Sequence, residues 1–452
     1  MEHYDLVIVG TGSGNSVPTP EMDDWRIAIV EKGVFGGTCL NVGCIPSKMF
    51  VLTADVAETI RHASRYGVAA HVDGVDWPGI VQRVFGRIDP IATGGEEWRA
   101  GLENVDVYKE HGRFIDHKVL QVGDEQITAD RWVLAAGARP FIPPVPGIDD
   151  VGYHTSDTIM RLPELPERLL VIGGGYIAAE LGHVFGALGS EITFVIRSDR
   201  MLREQDEQVS AAATQLYAER FDLRDRSTIV RAWRDDEGVH LELEREGGTE
   251  IVTGDELLVA AGRVPNSDTL GVEATGVEVH PDGRVVTDDL LATNVEGIWA
   301  FGDLANPFQL KHLANAEARV LSHNLTHPDD LRRMDYEQIP SAVFGSPQIA
   351  SVGATEQALR ESGRPYLTSV THYGGTAYGW ALEDTTSFVK LIADPETRLL
   401  LGAHIIGPQA STLIQQLIQG MRFGQTVDDM AREQFYIHPA LTEAVEVALL
   451  GF

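Results

Sequence analysis

The sequence has few cysteines and few basic residues. Only two of its 452 residues are cysteine, and 36 lysines and arginines stand against 67 acidic residues, for a formal net charge of −31. An extracellular disulfide scaffold of this length would carry more cysteines. Because so acidic a surface repels phosphate backbones and anionic lipids, neither a nucleic acid nor a membrane is expected as a partner.

Long apolar runs and lysines are scarce as well. The sequence contains no stretch of 18 purely apolar residues, and it does not open with a basic segment followed by an apolar one. No membrane span or signal peptide is therefore predicted, and a cytoplasmic location is expected. Only six residues are lysine, which makes a lysine inside a motif notable. The hydrophobic fraction of 43% and the length predict a globular protein of two to four domains.

A dinucleotide-binding unit is predicted at the start of the chain. The apolar run Tyr4–Gly10 leads into the turn Gly10-Thr11-Gly12-Ser13-Gly14-Asn15, and the second strand, Arg26–Glu31, ends in an acid. Such units have the order strand, glycine turn, helix, strand, acid. The glycines and the helix N-terminus receive a pyrophosphate, and the acid binds ribose hydroxyls. Asn15 replaces the third glycine, which predicts looser packing of the helix on the sheet.

The same pattern returns in the middle of the chain. Arg168–Ile172 is a predicted strand, and Gly173, Gly175 and Ala178 occupy the three motif positions after it. The next predicted strand, Glu191–Ile196, is followed by Arg197. An acid at this position would favour a ribose without a 2′-phosphate. Three arginines between positions 197 and 203 suit bidentate bonding to a phosphate, so NADP(H) is predicted rather than NAD(H).

Later segments indicate how the chain is organised. Trp132–Gly137 and Leu257–Gly262 are strand–glycine segments that look like equivalent crossing points of the two units. Gly297–Asp303 is a strand whose final acid can bond a ribose or ribityl hydroxyl, and a helical pattern then runs to about Thr326. Beyond Pro328, two closing helices and four strands predict a separate α+β domain, the strands being Val343–Val352, Thr368–Tyr373, Phe388–Ile392 and Leu399–Ile405.

Both cysteines lie in the stretch Cys39-Leu40-Asn41-Val42-Gly43-Cys44, which is followed by Pro46 and Lys48. A metal half-site, two unpaired thiols and a redox disulfide all fit this spacing, but a zinc site lacks a second cysteine pair. Cα atoms five residues apart in a regular helix are ~8–9 Å apart, too far for a disulfide, so a bridge needs the irregular backbone that Gly43 and Pro46 supply. The two nucleotide units favour a redox disulfide, whose thiolate Lys48 and a helix after Pro46 would stabilise.

His438 is a candidate proton donor. Pro439 at a helix start would bring Glu443 back towards the imidazole, and an acid bonded to one ring nitrogen fixes the tautomer and raises the basicity. A single histidine is more often an ordinary surface or core residue. Thiol–disulfide exchange, however, needs a proton donor for the leaving thiolate, which favours this role here.

Several of these features point to one family. They are the segment Gly37–Lys48, the two glycine turns, Gly302-Asp303 and the pair His438 and Glu443. Over essentially its whole length, the chain resembles the class I FAD-dependent pyridine nucleotide–disulfide oxidoreductases. The resemblance implies an α/β fold with two Rossmann-like dinucleotide-binding domains, for FAD and NADPH, and a C-terminal α+β interface domain. The expected domains are 1–149 with 263–335 for FAD, 150–262 for NADPH, and 336–452 for dimerisation. It implies a homodimer and no metal.

The resemblance also implies a role for individual residues. Cys39 would be the interchange thiol and Cys44 the thiol beside the flavin, while His438, oriented by Glu443, would act on the substrate bound to the second subunit. Lys48 and Glu180 would pair near the flavin. The expected FAD-binding residues are Gly10, Gly12, Ser13, Gly14, Glu31, Gly37, Thr38, Lys48, Gly112, Gly137 and Asp303, and the expected NADPH-binding residues are Gly173, Gly175, Ile177, Arg197, Arg203 and Gly262.

The expected activity is NADPH-dependent reduction of a small thiol disulfide through FAD and a Cys39–Cys44 disulfide. Three alternatives remain open. A dihydrolipoamide dehydrogenase would normally carry an acid in place of Arg197. A glutathione-type reductase would have to attract a substrate rich in carboxylates to a very acidic protein. A non-catalytic redox-sensing flavoprotein would need neither His438 nor Glu443.

Overall fold

The computed structural model describes all residues, 1–452. Strands in chain order are β1 Glu2–Val9, β2 Ile27–Val30, β3 Val105–Tyr108, β4 Gly112–Asp116, β5 Val119–Val122, β6 Glu125–Leu134, β7 Ala138–Pro140, β8 Arg168–Ile172, β9 Glu191–Val195, β10 Asp222–Arg224, β11 Thr228–Asp235, β12 Gly238–Arg245, β13 Gly248–Gly254, β14 Glu256–Val259, β15 Arg263–Pro265, β16 Ile298–Ala300, β17 Ser341–Val343, β18 Ile349–Gly353, β19 Leu367–His372, β20 Phe388–Ala393 and β21 Leu400–Ile406.

The α-helices, also in chain order, are α1 Gly37–Asn41, α2 Cys44–Arg61, α3 Trp77–Ala100, α4 Tyr176–Leu188, α5 Glu207–Arg220, α6 Ser267–Leu270, α7 Lys311–Thr326, α8 Glu356–Ser362, α9 Ala377–Ala381, α10 Ala410–Arg422, α11 Val427–Arg432 and α12 Thr442–Leu450. The first two thirds of the chain contain two parallel sheets with helices between some of their strands, whereas the last third combines one antiparallel sheet with helices. The fold is therefore of the mixed α/β class that the sequence predicts.

The first sheet is a parallel dinucleotide-binding sheet with an antiparallel extension. Strands β3, β2, β1, β6 and β16 lie side by side and run parallel, and β5 and β4 continue the sheet beyond β6. The central strands are apolar on both faces because the sheet is covered on both sides, and residues such as Leu6 and Val7 are fully buried. The carboxyl ends of β1 and β6 meet where the glycine turn begins.

A second parallel sheet repeats this arrangement in the order β10, β9, β8, β14. Its first helix, α4, is buried along nearly its whole length and begins directly after the second glycine turn. The strands predicted at Arg168–Ile172 and Glu191–Ile196 are β8 and β9. The two predicted crossing points continue into β7 and β15, which pair with each other and connect the two units.

The C-terminal sheet has five antiparallel strands in the order β17, β18, β21, β20, β19. Two expectations are wrong here. The single strand predicted over Val343–Val352 is interrupted between β17 and β18, where Gly345 and Pro347 supply a break and Pro347 cannot donate to a ladder. Three helices, α10 to α12, close the chain instead of two, because α11 is a separate short helix with its own capping box at Thr426.

The helix expected after the first glycine turn is absent. In its place are two short 3₁₀ turns, Gly14–Ser16 and Pro20–Met22. Pro18 and Pro20 explain the difference, because proline lacks a backbone N–H and holds the preceding residue away from helical angles. Asn15 therefore does not loosen a helix; its side-chain oxygen and carbonyl accept hydrogen bonds from buried Arg99 at 2.8 and 2.6 Å.

The segment Gly37–Arg61 is long and apolar enough, by length and composition, to cross a membrane. It comprises α1 and α2, and α2 packs against α3 and α4. Phe50 and Ala54 of this helix lie fully buried in the largest hydrophobic core of the protein. We therefore interpret the segment as a core helix of the first sheet's domain.

A buried lysine joins the second parallel sheet's unit to the C-terminal sheet. Lys390, on β20, donates to Asp206 Oδ1 at 2.8 Å and to Glu356 Oε2 at 2.5 Å, with 2% of its side chain exposed. Burial opposes the ionisation of Asp206, but the hydrogen bonds from Lys390 and from Glu356 N hold its pKa below the ordinary value. A depressed pKa adds stability above the unfolded-state pKa, and this stability is lost as the pH falls through the folded-state pKa.

Replacing Lys390 with methionine is expected to lower the free energy of unfolding by about 3–5 kcal/mol, because Asp206 would be left charged and buried without its partner. Urea denaturation at neutral pH measures the change. The same substitution at Lys109, whose pair with Glu96 is solvent-exposed, is the matched control and is expected to cost about 0–1 kcal/mol. Equal effects of the two substitutions would contradict this interpretation.

Candidate active site

A single large cavity of about 1650 Å³ connects the first sheet's glycine turn, the cysteine pair and the start of α4. Ile177 is the one residue predicted to bind NADPH that reaches this cavity, and Gly14 is buried beneath it against the sheet. The other predicted FAD-site and redox residues all line it: Gly10, Gly12, Ser13, Glu31, Gly37, Thr38, Cys39, Cys44, Lys48, Gly112, Gly137, Glu180 and Asp303.

The first glycine turn brings two backbone segments into direct contact. Gly10 has φ +102°, and a Cβ there would lie 2.3 Å from Ala135 O. A Cβ on Gly37 would lie 2.6 Å from Gly12 Cα, so the turn and the cysteine segment approach as closely as glycine allows. A Cβ on Gly12 itself would meet nothing within 4 Å, and this open side belongs to the cavity.

Glu31 stands at the end of β2, as predicted, and its carboxylate is fixed by the turn. Its Oε2 accepts from Thr11 N at 3.0 Å and Thr11 Oγ1 at 2.7 Å, and its Oε1 accepts from Gly33 N at 2.8 Å. Oε1 has a further lone pair, so Glu31 can still accept a hydroxyl there. Thr11 was not singled out by the sequence analysis, although it lies between two motif glycines.

The two cysteines face each other across a helix interruption. Cys39 lies in α1 and Cys44 is the first residue of α2, and the chain bends between them at Gly43, where a Cβ would lie 2.9 Å from Thr38 O. The irregular backbone expected at Gly43 is present. The helix does not begin after Pro46, as expected, but includes it in the first turn, where a missing N–H costs nothing.

Both thiols are free, and each one shifts the pKa of the other. The hydrogen bond from Cys39, helped by the charge of Lys48, lowers the pKa of the Cys44 thiol to about 7. The same hydrogen bond and burial raise the pKa of the Cys39 thiol. The positive end of α2 also favours negative charge at its first residue. In this dithiol the thiolate therefore resides on Cys44, and Cys39 keeps the proton.

Lys48 and Glu180 form the ion pair that the resemblance implies. Lys48 Nζ lies 2.6 Å from Glu180 Oε2, and the Glu180 side chain is 7% exposed. The other oxygen, Oε1, accepts from Phe344 N at 2.9 Å, and the Phe344 ring lies 4.5 Å from Lys48 Nζ. Phe344 was not found from sequence because it lies 164 residues from Glu180 and carries no motif.

Two other residues that line the cavity have buried polar atoms without partners. Arg263 Nε and Asn41 Oδ1 are buried and make no hydrogen bond, and both residues line the cavity. Asp303 lies 4.0 Å from Arg263 Nε, and burial raises the pKa of its carboxyl. A long ligand rich in hydroxyl groups would satisfy donors and acceptors of this kind. The donor set, the open glycine turn and the volume therefore fit a flavin dinucleotide.

The second glycine turn lies on the other side of α4. Gly173 has φ +125°, and a Cβ there would lie 2.2 Å from Ala260 O, while Gly175 caps the start of α4 with open space beside it. Arg197 and Arg203 are exposed at the end of β9, and Gly262, with φ +127°, faces open space. Arg200 is instead paired with Asp199 and Glu207.

His438 and Glu443 form the predicted pair, but outside the cavity of their own chain. His438 Nδ1 donates to Glu443 Oε1 at 2.7 Å, and this bond holds the pKa of Glu443 below its usual value. His438 Nε2 is left free on a side chain that is 72% exposed. The neighbouring Phe435 and Ile437 are exposed apolar side chains, as expected of a surface that another chain covers.

Comparison with known proteins identifies the family. Residues 4–319 match the pyridine nucleotide-disulphide oxidoreductase family, and residues 339–449 match its dimerisation domain. The chain belongs to this family, and it is an enzyme of this type. The cofactors of this family, FAD and NADPH, are those expected from the sequence. Its dimerisation domain supports a homodimer.

Within the family, the chain is 50% identical to mycothione reductase of Mycobacterium tuberculosis (strain ATCC 25618 / H37Rv), over all of both chains. It is 32% identical to dihydrolipoyl dehydrogenase of Corynebacterium glutamicum, covering 100% of this chain and 98% of the relative. Among solved structures, the HOCl-induced flavoprotein disulfide reductase RclA from Escherichia coli superposes with a TM-score of 0.88 at 26% identity, covering 100% of this chain and 99% of RclA.

Three short segments of the sequence also resemble mycothione reductase. These segments are Gly12–Asn15, Ala377–Ala381 and Ala448–Phe452. None of these segments contains a residue whose chemistry would recognise mycothiol. The identity over the full length therefore supports the resemblance to mycothione reductase in a way that the chemistry of single residues does not.

Removing the hydrogen-bond donor next to Cys44 is expected to raise its pKa. The Cys39→Ser variant keeps a hydroxyl donor, so the Cys44 thiol should titrate near 7, whereas in Cys39→Ala it should titrate about one pH unit higher, towards the ordinary value. The pH dependence of alkylation of the one remaining thiol measures both. Identical alkylation profiles for the two variants would show that the hydrogen bond does not determine the pKa of Cys44.

Proposed function

We propose that this protein is an NADPH-dependent reductase of mycothiol disulfide (mycothione). It acts through FAD and a Cys39–Cys44 redox disulfide, as a cytoplasmic homodimer. The observation that supports this choice of substrate is the 50% identity to mycothione reductase over the full length of both chains. The hydrogen-bonded cysteine pair in the wall of the large cavity supports the disulfide chemistry.

The domain division that we propose is 1–149 with 263–335 for FAD, 150–262 for NADPH, and 336–452 for dimerisation. The two parallel sheets and the C-terminal antiparallel sheet support it, because each lies within one of these units. Bound FAD would supply the two-electron redox chemistry that links NADPH to the cysteine disulfide. Gly10–Gly14, Glu31, Gly37, Thr38, Lys48, Gly112, Gly137 and Asp303 would hold it.

The protein residues carry the exchange steps. The Cys39 thiolate attacks one sulfur of the substrate disulfide, a new S–S bond forms, and the other substrate sulfur leaves with the electron pair. The Cys44 thiolate then attacks Cys39 Sγ of this mixed disulfide, which releases the second thiolate and restores the Cys39–Cys44 bond. Two protons convert the released thiolates to thiols, so one NADPH and one proton reduce one disulfide to two thiols.

His438 would supply a proton to the leaving thiolate. Because Glu443 accepts from its Nδ1, only Nε2 is available to the substrate, and this nitrogen is exposed on a dimerisation domain. His438 does not line the cavity of its own chain, which supports the proposal that it acts on the partner subunit's site. Glu443 orients the ring and is a positioning residue.

Arg197 and Arg203 support NADPH as the reductant. Both are exposed at the end of β9, and neither is paired with a carboxylate except for the contact of Arg203 with its neighbour Glu204 at 3.5 Å. Guanidinium groups at this strand end attract a ribose 2′-phosphate, and an acid would repel it. Gly173, Gly175, Ile177 and Gly262 would complete this site.

A panel of disulfides tests the substrate. The purified protein is expected to reduce mycothiol disulfide with a kcat/KM at least about 100-fold above those for glutathione disulfide and lipoamide, a difference of about 3 kcal/mol in transition-state stabilisation. The kcat/KM should be higher with NADPH than with NADH, and replacing Arg197 with glutamate should lower the ratio of the two values. Turnover of dihydrolipoamide with NAD would instead assign the protein to the dihydrolipoyl dehydrogenases and contradict the proposal.

Mixed dimers test the position of His438. Cys39→Ser and His438→Ala homodimers should each lose about 10²–10⁴-fold in activity, because one lacks the attacking sulfur and the other the proton donor. If His438 serves the opposite subunit, a heterodimer of the two variants has one intact site and should recover about half of the wild-type activity. A heterodimer without activity would place His438 in the site of its own chain.

A further inference from the structure

Lys311 is a cation of the cavity wall that the exchange steps above do not use. It is the first residue of α7, and its Nζ donates to Ser13 Oγ at 2.9 Å. Ser13 Oγ in turn donates to Asn315 Oδ1 at 2.9 Å. Lys48 has a carboxylate partner in Glu180, whereas Lys311 forms no ion pair. Its charge is therefore available to a group in the cavity.

The position of Lys311 in its helix is electrostatically unfavourable by itself. The first turn of a helix carries the positive end of the macrodipole, where acidic side chains are stabilising and a lysine is not. Lys311 and the start of α7 together concentrate positive charge in a protein with a net charge of −31. Such a site is suited to a negative charge on a group that faces the same cavity.

Cys39 lines the same cavity as Lys311. Ser13 follows Gly12, and the backbone of Gly12 is in contact with Gly37, two residues before Cys39. The hydrogen bond with Cys44 and burial raise the pKa of the Cys39 thiol, and the positive charge of Lys311 opposes this rise. Lys311, Ser13 and Cys39 all line the same cavity, so the ammonium group and the sulfur face a common space.

The charged groups around the cysteine pair are divided between the two sulfurs. On the Cys44 side, the Lys48 charge lowers the pKa of that thiol and Glu180 raises it. On the Cys39 side, the charge of Lys311 acts on the sulfur. The same charge also opposes the rise in the pKa of Asp303, which lines the cavity too. Each sulfur thus has its own lysine.

We propose that Lys311 stabilises the thiolate form of Cys39 and so allows negative charge to move from Cys44 to the attacking sulfur. The proposal rests on the proposed function, in which Cys39 Sγ attacks the substrate disulfide. A proton passes from the Cys39 sulfur to the Cys44 sulfur, so the pair keeps one proton and one negative charge during this transfer. Cys44 then loses that proton to His438, which has protonated the released substrate thiolate, and Cys44 is again a thiolate when it attacks the mixed disulfide. Lys311 remains protonated and forms no bond to substrate.

A protein with a single thiol tests this assignment directly. Because the chain has only two cysteines, the Cys44→Ser variant leaves Cys39 as its one thiol. The pH dependence of iodoacetamide alkylation is compared in FAD-loaded Cys44→Ser and in FAD-loaded Cys44→Ser with Lys311→Met. Loss of a cation near the sulfur is expected to move the midpoint up by about one pH unit, which makes alkylation near neutral pH about tenfold slower.

Two further variants complete the experiment. Lys311→Arg in the Cys44→Ser background should restore the low midpoint, because it keeps the charge. Lys118→Met removes a lysine that does not line the cavity and should leave the profile unchanged. An unchanged midpoint in Lys311→Met overturns the proposal, and so does loss of FAD from Lys311→Met without a change in the alkylation of Cys39. The measurement uses neither NADPH nor a disulfide substrate, so it stands even if mycothiol disulfide proves not to be the substrate.

Discussion

The interruption of the helix at Gly43 is the constraint on which the site depends. In an unbroken helix, Cys39 and Cys44 would point in different directions at too great a distance to bond. The break turns both sulfurs towards each other and makes Cys44 the first residue of α2, at its positive end. The hydrogen bond between the thiols then differentiates them, one as the stable thiolate and the other as the protonated partner.

Local positive charge in an acidic protein is the second theme of the structure. With a net charge of −31, the chain cannot attract anions over its general surface. Its cations are placed individually instead: Lys48 follows Cys44 in α2, Lys311 lines the same cavity as Cys39, and Arg263 lies near Asp303. Because lysine is so rare in this sequence, two of six lysines at one cysteine pair indicate a local requirement for charge.

Local sequence signals predicted much of the fold, and long-range pairing was beyond them. The strand Arg168–Ile172 and the end of α7 at Thr326 follow from apolar patterning and were predicted correctly. The missing helix after Gly14 was predicted wrongly because the glycine motif was given more weight than Pro18 and Pro20. The ion pair of Lys48 with Glu180 spans 132 residues and was expected only from the family resemblance, since neither residue shows its partner locally.

The account as a whole depends on the cysteine pair being the group that NADPH reduces. Counting reactive thiols in the anaerobic, unfolded protein before and after one equivalent of NADPH tests this most directly. The account predicts no free thiol in the oxidised protein and two per chain after reduction, since the chain has two cysteines. Two thiols before NADPH is added, or none after it, would contradict a redox disulfide between Cys39 and Cys44.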